Sequence, residues 1–296
     1  LPFARLEKPS GPTSHEVVSW VKRILGLDRA GHSGTLDPQV TGVLPVMLGN
    51  STKIANFLLK AGKEYVCVMR LHQEISEDKI RDACSEFIGK IYQKPPLRSS
   101  VKRRLRIRNI YYLDILEIDG QNVLFRVGCQ AGTYIRKLVF DIGEVLACGA
   151  HMAELRRTRS GPFNENDTLV SLHDVKDAHH FWKEDGDERL LRKYIHPLER
   201  GVQHLPKIII RDTAVDALCH GANLAVAGVL KLHSDIDKGD AVGMMTIKGE
   251  LVAVGKAQYS CEQILDAKSG IVAIINRVVL SAGTYPSTWK KNHGST

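Results

Sequence analysis

The chain has 296 residues, 43% of them hydrophobic and 25% charged, with 41 Lys and Arg against 33 Asp and Glu for a formal net charge of +8. That length fits about two domains of ~150 residues, each able to bury a core, and the basic excess favours a polyanionic partner such as nucleic acid. Six scattered cysteines (Cys67, Cys84, Cys129, Cys148, Cys219 and Cys261) form no C-x-x-C pair or zinc-spaced cluster, and no apolar run approaches the roughly 20 residues of a membrane helix, so metal and transmembrane classes drop out.

The cysteines read as small buried hydrophobes of a reducing compartment. The first residues lack a signal-peptide core, which points to an intracellular protein with no membrane partner. In chain order, Lys8-Pro9-Ser10-Gly11-Pro12 is a turn, and Thr13-Ser14-His15-Glu16 is a capping box opening a helix with Val17, Val18, Val21, Ile24 and Leu25 on one face and Gly26 as its stop. Val43–Leu48 reads as a buried strand. A second helix is predicted over Thr52–Leu59 with Ile54, Phe57 and Leu58 inward, then a strand over Gly62–Leu71. Ser76 caps a helix running to Phe87.

After the break at Pro95-Pro96, Lys102–Arg108 alternates as a strand. Arg104, Arg106 and Arg108 fall on one face, and Leu105, Ile107, Tyr111 and Leu113 on the other. Val123–Val127 is a further strand. Gly132-Thr133-Tyr134-Ile135-Arg136 opens a helix with Leu138, Val139, Ile142, Val145 and Leu146 inward, and His179-His180 lie in an amphipathic helical pattern. A composition shift at Arg200–Pro206 begins a region of short apolar strands and glycine turns: Ile208–Ile210, Leu224–Val229, Ala241–Ile247, Leu251–Ala257 and Ile271–Val279, with one helix at Ala214–Cys219. That spacing predicts a small β-barrel. The tail after Tyr285 is polar and expected to fray.

The stretch carrying most chemistry is Gly31-His32-Ser33-Gly34-Thr35-Leu36-Asp37-Pro38-Gln39-Val40-Thr41-Gly42-Val43-Leu44-Pro45. Its single carboxylate is ringed by glycines and held extended by Pro38. From the residues alone, Asp37 is either an Asx turn or an aimed catalytic acid. A strand tyrosine such as Tyr65 is core or catalyst. Arg136 is a surface helix residue. The cluster Leu155-Arg156-Arg157-Thr158-Arg159 is a solvated charged face or a phosphate contact.

The Gly31–Pro38 and Thr41–Pro45 segments resemble the signature of the TruB/dyskerin family of pseudouridine synthases. Lys8-Pro9, Lys63-Glu64-Tyr65, Gly132–Arg136 and His151–Gly161 resemble its other motifs in the same order. Ser33 and Gln39 are tolerable variations in the signature. The resemblance implies an α+β fold, a mixed and mainly antiparallel catalytic domain over 1–204 followed by a β-barrel PUA RNA-binding domain over 205–284 and a tail over 285–296, with the first few residues packing on the second domain. It implies Asp37 as the catalytic acid, Arg136 as its partner and Tyr65 as the ring on the base and proton acceptor. His32, Tyr134, Leu155, Lys8 and Pro9 would line the pocket. His32 is either a turn histidine or an aid to uridine extrusion.

RNA contacts are expected at Arg104, Arg106, Arg156, Arg157 and Arg159, and in the second domain at Gly221, Ala222, Asn223, Leu224, Lys248 and Lys256. Gly221 and Gly228 would admit RNA backbone, and Ala227 stands where the family often has proline. No metal or other cofactor is needed, because isomerising uridine moves no hydride and releases no group.

Two branches of the family compete, a stand-alone transfer-RNA T-arm enzyme and a dyskerin-type enzyme directed by guide RNA. Only ten residues separate Tyr65 from Ser76, too few for the stand-alone branch's longer insertion. Pro95–Arg103 and Thr284–Trp289 also resemble the guided branch. That branch implies a box H/ACA guide RNA, ribosomal RNA as substrate with transfer RNA as a second class, and three proteins: a small zinc-ribbon protein, a Gar-type protein and a kink-turn-binding protein. It implies an archaeal, cytoplasmic member, since the long lysine-rich tails of nucleolar relatives are missing. A non-catalytic guide-RNA scaffold is the remaining alternative.

Overall fold

The computed structural model describes residues 2–94, 104–166 and 169–286. The Pro95–Arg103 stretch and the tail from Ser287 through Trp289, both used above, lie outside them. The chain forms two compact units, a larger one from residues 4–47 and 58–195 and a smaller one from residues 1–3, 48–57 and 196 onward. The smaller unit is therefore discontinuous in sequence. A composition shift near residue 204 cannot reveal a ten-residue excursion made so much earlier in the chain.

In chain order the first elements are β1 (Pro2–Lys8) and α1 (Ser14–Ile24). The capping box forms as expected: the Thr13 N–H donates to the Glu16 carboxylate at 2.7 Å and the Glu16 N–H to Thr13 Oγ1 at 3.1 Å. β2 (Ala30–His32) and β3 (Thr41–Leu48) flank the Asp37 loop. In place of one helix over Thr52–Leu59 there is a 3-10 segment, Gly49–Ile54, followed by α2 (Ala55–Lys60), with Ile54 and Leu58 buried. Next come β4 (Lys63–Leu71), α3 (Glu77–Ser85), β5 (Gly89–Gln93), β6 (Arg106–Asp119), β7 (Asn122–Cys129), α4 (Ile135–Val145), β8 (Ala150–Ser160) and β9 (Phe163–Asn164). They are followed by α5 (Leu172–Asp185), which carries His179-His180, and by α6 (Arg189–Tyr194) and β10 (Ile195–Pro197).

The sheet runs β1-β3-β8-β4-β7-β6-β5. β3 and β8 pair in parallel, whereas β4 is antiparallel to both β7 and β8. Behind it packs a core of Cys67, Met69, Phe125, Val127, Leu138 and Ile142.

The alternation at the start of β6 is as expected, but its apolar side faces out. On β6, Leu105 and Ile107 are 63% and 51% exposed while Arg106 and Arg108 are half-buried. Register shifts at Ile110/Tyr112 and Ile115/Glu117 change which parity points inward, and Leu113 is buried only beyond the first of them. A bulge inserts one residue and so flips every side chain after it. Val145, expected inward on α4, is 52% exposed because it ends the helix.

The smaller unit contains β11 (Lys207–Ile210), α7 (Asp212–Cys219), β12 (Leu224–Ala225), β13 (Val229–Leu232), β14 (Ala241–Met245), β15 (Leu251–Ala257), α8 (Cys261–Asp266) and β16 (Ile271–Val278). Its six-stranded sheet runs β12-β16-β15-β14-β11-β13 around one core that includes Ile208, Val215, Val252 and Val272. The expected strand Leu224–Val229 is broken by a 3-10 turn, Val226–Gly228. Tyr285, the residue before the tail, is pinned: its hydroxyl donates to Glu250 at 2.6 Å. Among the described residues, no helix is long and apolar enough to cross a membrane.

Candidate active site

The Asp37 loop is fastened from both sides. Lys8 is fully buried, and its ammonium donates to the carbonyls of Pro9, Pro38 and Val40 at 2.8–2.9 Å. Ser14, at the start of α1, makes a two-way bond with Leu36: its hydroxyl donates to the Leu36 carbonyl and accepts the Leu36 N–H. The Gly11 N–H donates to Pro38 O and the Val40 N–H to Asp37 O. Leu36 and Val40 are buried, so the loop dips into the core on either side of Asp37 and leaves its carboxylate outside. Buried backbone groups need partners, and the partners available here fix the loop. Lys8, expected to line a pocket, lies under the loop, while Pro9 is exposed beside it.

Arg136, in the first turn of α4, donates from Nη2 to Asp37 Oδ2 at 2.8 Å. The two side chains lie 99 residues apart in sequence and are 63% and 58% exposed. An exposed pair of this kind adds little to stability. What it adds is orientation, since a guanidinium approaches a carboxylate in its plane.

Tyr65 sits on β4 opposite Arg157 of β8, and Cys67 opposite Leu155. The parity puts all four side chains on one face, with Leu155 on the diagonal from Tyr65. Burial pushes the Tyr65 phenol up from its ordinary value, and the Arg157 guanidinium hydrogen-bonded to it pulls the other way; the Asp37 carboxylate is near enough to add to the rise. Asp37, Arg136, Tyr65 and Leu155 are thus brought to one place, with Tyr134 at the N-cap of α4 beside them.

Arg157 is shut away from solvent. It is 1% exposed and donates to Val43 O at 2.9 Å and Gly34 O at 3.1 Å, tying the Asp37 loop and β3 to β8. Beside it Lys63 is 4% exposed and donates to the carbonyls of Leu58, Leu59 and Ala61. Burial, then the nearby Arg157 charge, lowers the Lys63 pKa to about 7. The sequence signal for Lys63 was its parity, since it shares the inward face of β4 with Tyr65 and Cys67.

Arg156 bridges Glu7 and Glu165, and Arg159 donates to the Tyr112 hydroxyl, which itself donates to Glu64. Arg104 is exposed and Arg106 half-buried. His32 accepts the Gly34 N–H on Nδ1 at 3.3 Å and meets the His15 ring edge-on. Burial, then the neighbouring His15 and Arg157, lowers its pKa to about 4, so the ring is neutral at physiological pH. Its Nδ1 therefore serves the turn, while Nε2 is buried with no hydrogen-bond partner among the described residues.

In the smaller unit Gly221 has φ +91° and open space around it, and Ala222 and Asn223 are exposed, with Asn223 accepting the Ile275 N–H. Leu224 is buried, and Gly228 faces the Leu224 and Ala214 side chains, so it makes room for the core rather than for a ligand. Lys248 lies over the Tyr285 ring, 5.5 Å from its centre, and Lys256 is exposed.

One exposed, oriented carboxylate beside an aromatic ring can stabilise or capture a sugar carbon made positive by loss of its base, as carboxylates do in glycosidases. Among the described residues no three His, Cys, Asp or Glu side chains cluster as metal ligands.

The chain matches the N-terminal domain of TruB family pseudouridylate synthases over residues 22–135, the C-terminal domain of tRNA pseudouridylate synthase B over 136–203, and the PUA domain over 206–279. It is 59% identical to the probable tRNA pseudouridine synthase B of Pyrococcus abyssi, over 96% of this chain and 85% of that one. To the protein of the same name from Methanopyrus kandleri it is 60% identical, over 96% and 84%. A solved Cbf5-Nop10-Gar1 complex contains a chain of 56% identity that superposes with a TM-score of 0.93, covering 97% of this chain and 87% of that one. An H/ACA RNP bound to a substrate RNA containing 2'-deoxyuridine gives 53% identity and a TM-score of 0.91, covering 97% and 88%.

Proposed function

This chain belongs to the TruB family of pseudouridylate synthases, and from that premise we propose that it modifies uridine under the direction of a box H/ACA guide RNA. An RNA pseudouridine synthase breaks the bond from uridine N1 to the sugar, turns the base and rejoins it through C5. The observation that carries the assignment to this site is the Asp37–Arg136 ion pair, made across 99 residues of sequence beside the Tyr65 ring.

Asp37 is the catalytic residue, its carboxylate meeting the positive sugar carbon either electrostatically or covalently. Arg136 holds it in plane. Tyr65 packs on the base; as the phenolate, a form that its burial opposes and the Arg157 guanidinium favours, it would accept the proton leaving C5. Leu155 and Tyr134 wall the pocket. The target uridine must first leave its stack, at a cost of a few kcal/mol that favours an already opened substrate. Arg104, Lys256 and the turn at Gly221–Asn223 are exposed and available to phosphate.

Guide direction is supported by the likeness, over 97% of the chain, to proteins solved with Nop10 and Gar1 and within an H/ACA RNP on substrate RNA. The short link from β4 to α3 supports it too. The partners are the guide RNA, ribosomal RNA as substrate, a zinc-ribbon protein, a Gar-type protein and a kink-turn-binding protein. The curated relatives carry a transfer-RNA name, which favours a guide-free T-arm activity as the second reading.

The test is pseudouridine formation with the purified protein and its partner proteins, with matched guide RNA added or withheld and a T-arm stem-loop alongside. Product only with guide is the expected result, and T-arm product without guide would install the second reading. Asp37→Asn is expected to abolish product while RNA binding persists; substantial activity in that variant would overturn the site assignment. Arg136→Lys is expected to be severely slowed, because an ammonium lacks the planar fork.

A further inference from the structure

Arg136 reaches Asp37 only if α4 begins in the right place. Its N-cap, Tyr134, makes no side-chain capping hydrogen bond of its own. The start of the helix is instead held by Gln93, the last residue of β5, which is 2% exposed. The Gln93 amide donates from Nε2 to the Tyr134 carbonyl at 3.1 Å, and Gln93 Oε1 accepts the Tyr134 N–H at 3.0 Å. A primary amide thus grips both polar groups of one residue, as a neighbouring strand would. The same Tyr134 carbonyl accepts the Lys137 and Leu138 N–H groups at 3.1 and 3.0 Å, so the grip is continuous with the first turn that carries Arg136.

A second fastening sits beside it. The Gln130 N–H donates to Asn109 O at 2.8 Å, and the Asn109 N–H returns a bond to Gln130 Oε1 at 3.2 Å. The Thr133 hydroxyl and N–H both donate to Gln130 O. The Arg108 guanidinium lies against Gly132, where a Cβ would come within 3.2 Å of Nη2. The turn from Gln130 to Tyr134 is thereby bolted to the β5–β6 pair.

We propose that Gln93 is a positioning residue for the reaction: by fixing the start of α4 it sets the Arg136 guanidinium on the Asp37 carboxylate. The inference rests on the reading of Asp37 and Arg136 given above. Gln93 touches neither of the two and acts only through the helix.

The test is a double-mutant cycle under single-turnover conditions, on whichever RNA the wild-type protein converts and with the partners it requires. Gln93→Met keeps the volume and removes both bonds. It is expected to slow the chemical step by roughly tenfold to hundredfold, the scale of a small misplacement of catalytic groups, with RNA affinity unchanged. In the Arg136→Lys background the same substitution is expected to cost less than about threefold, because coupled residues are not additive. A full rate in folded Gln93→Met, or an equal loss in both backgrounds, would overturn the proposal. If Gln93→Met does not fold, Gln93→Glu keeps the acceptor for the Tyr134 N–H and loses the donor. It is expected to show the same dependence on Arg136, and a full rate there would overturn the proposal equally. Wild-type turnover that survives Asp37→Asn would instead sink the underlying site assignment.

Discussion

At the scale of single residues, the site is governed by buried cations that meet carbonyl oxygens rather than acids. Arg157 serves Gly34, Val43 and Tyr65 at once. Arg157→Leu strips buried acceptors that cost roughly 1–3 kcal/mol each when left unpaired. We expect a loss of at least about 2 kcal/mol in a urea titration, with Gly34 and the Asp37 loop loosened before the rest. Lys63 gives a pH signature. Its folded pKa, about 7, lies below the usual 10.5, so between those values the unfolded chain carries a proton that the folded one lacks. Stability therefore rises with pH across that window and is lost on the way down. Wild type should gain stability relative to Lys63→Met as pH is raised from about 7 to about 9, measured by denaturant midpoints; parallel curves would refute it. The meeting of Asp37 with Arg136 was implied by the resemblance alone, since by its own residue pattern Arg136 reads as a surface helix residue. Lys8 and Arg157 were misassigned to a pocket or to phosphate. Their burial depends on carbonyls supplied by distant segments, and no spacing in the chain records that.

At the scale of elements, the placement of the Asp37 loop depends on how closely β3 and β8 approach. Gly42 has φ +104°, and a Cβ there would lie 2.2 Å from the Arg157 carbonyl oxygen. That is backbone against backbone, with no side chain to swing aside. Gly42→Ala is expected to cost about 3 kcal/mol or more, or to prevent folding, combining overpacking with left-handed strain. Gly221→Ala has positive φ but open space, so about 1–2 kcal/mol is expected there. Thermal melts of the two variants make the comparison, and equal losses would show that the close contact carries no weight. The capping box and the buried stripe of α1 were fully legible, since both are local. The face of β6 was not, because its two bulges re-aim the alternation and are set by pairing with β7 rather than by anything within β6. The split of Leu224–Val229 has a similar cause: Gly228 takes up the space against Leu224 and Ala214 that a strand side chain would fill.

At the scale of the whole molecule, the smaller unit gathers residues 1–3 and 48–57 as well as 196 onward. A fragment ending at residue 195 is expected to aggregate or melt without cooperativity, because it keeps the 48–57 stretch, with Ile54, but loses the last strand that stretch contacts. Gel filtration and circular dichroism of that fragment check this, and a monomer with a sharp melt would refute it. The second domain itself was legible from its strand spacing, but the borrowed stretch 48–57 was not, since nothing in its composition marks it out. The interleaving also bears on how the protein is made. A ribosome adding about 5–20 residues per second delivers residues 48–57 well before the strands that will shelter them. The polypeptide segments flanking that stretch, β3 with its preceding loop and then β4, must wait with an unfinished neighbour between them. Such long-range closure slows folding. The nascent chain therefore leaves the stretch that follows its most constrained loop exposed until the smaller unit is made, and that interval is when a chaperone or an early-binding partner has the most to protect.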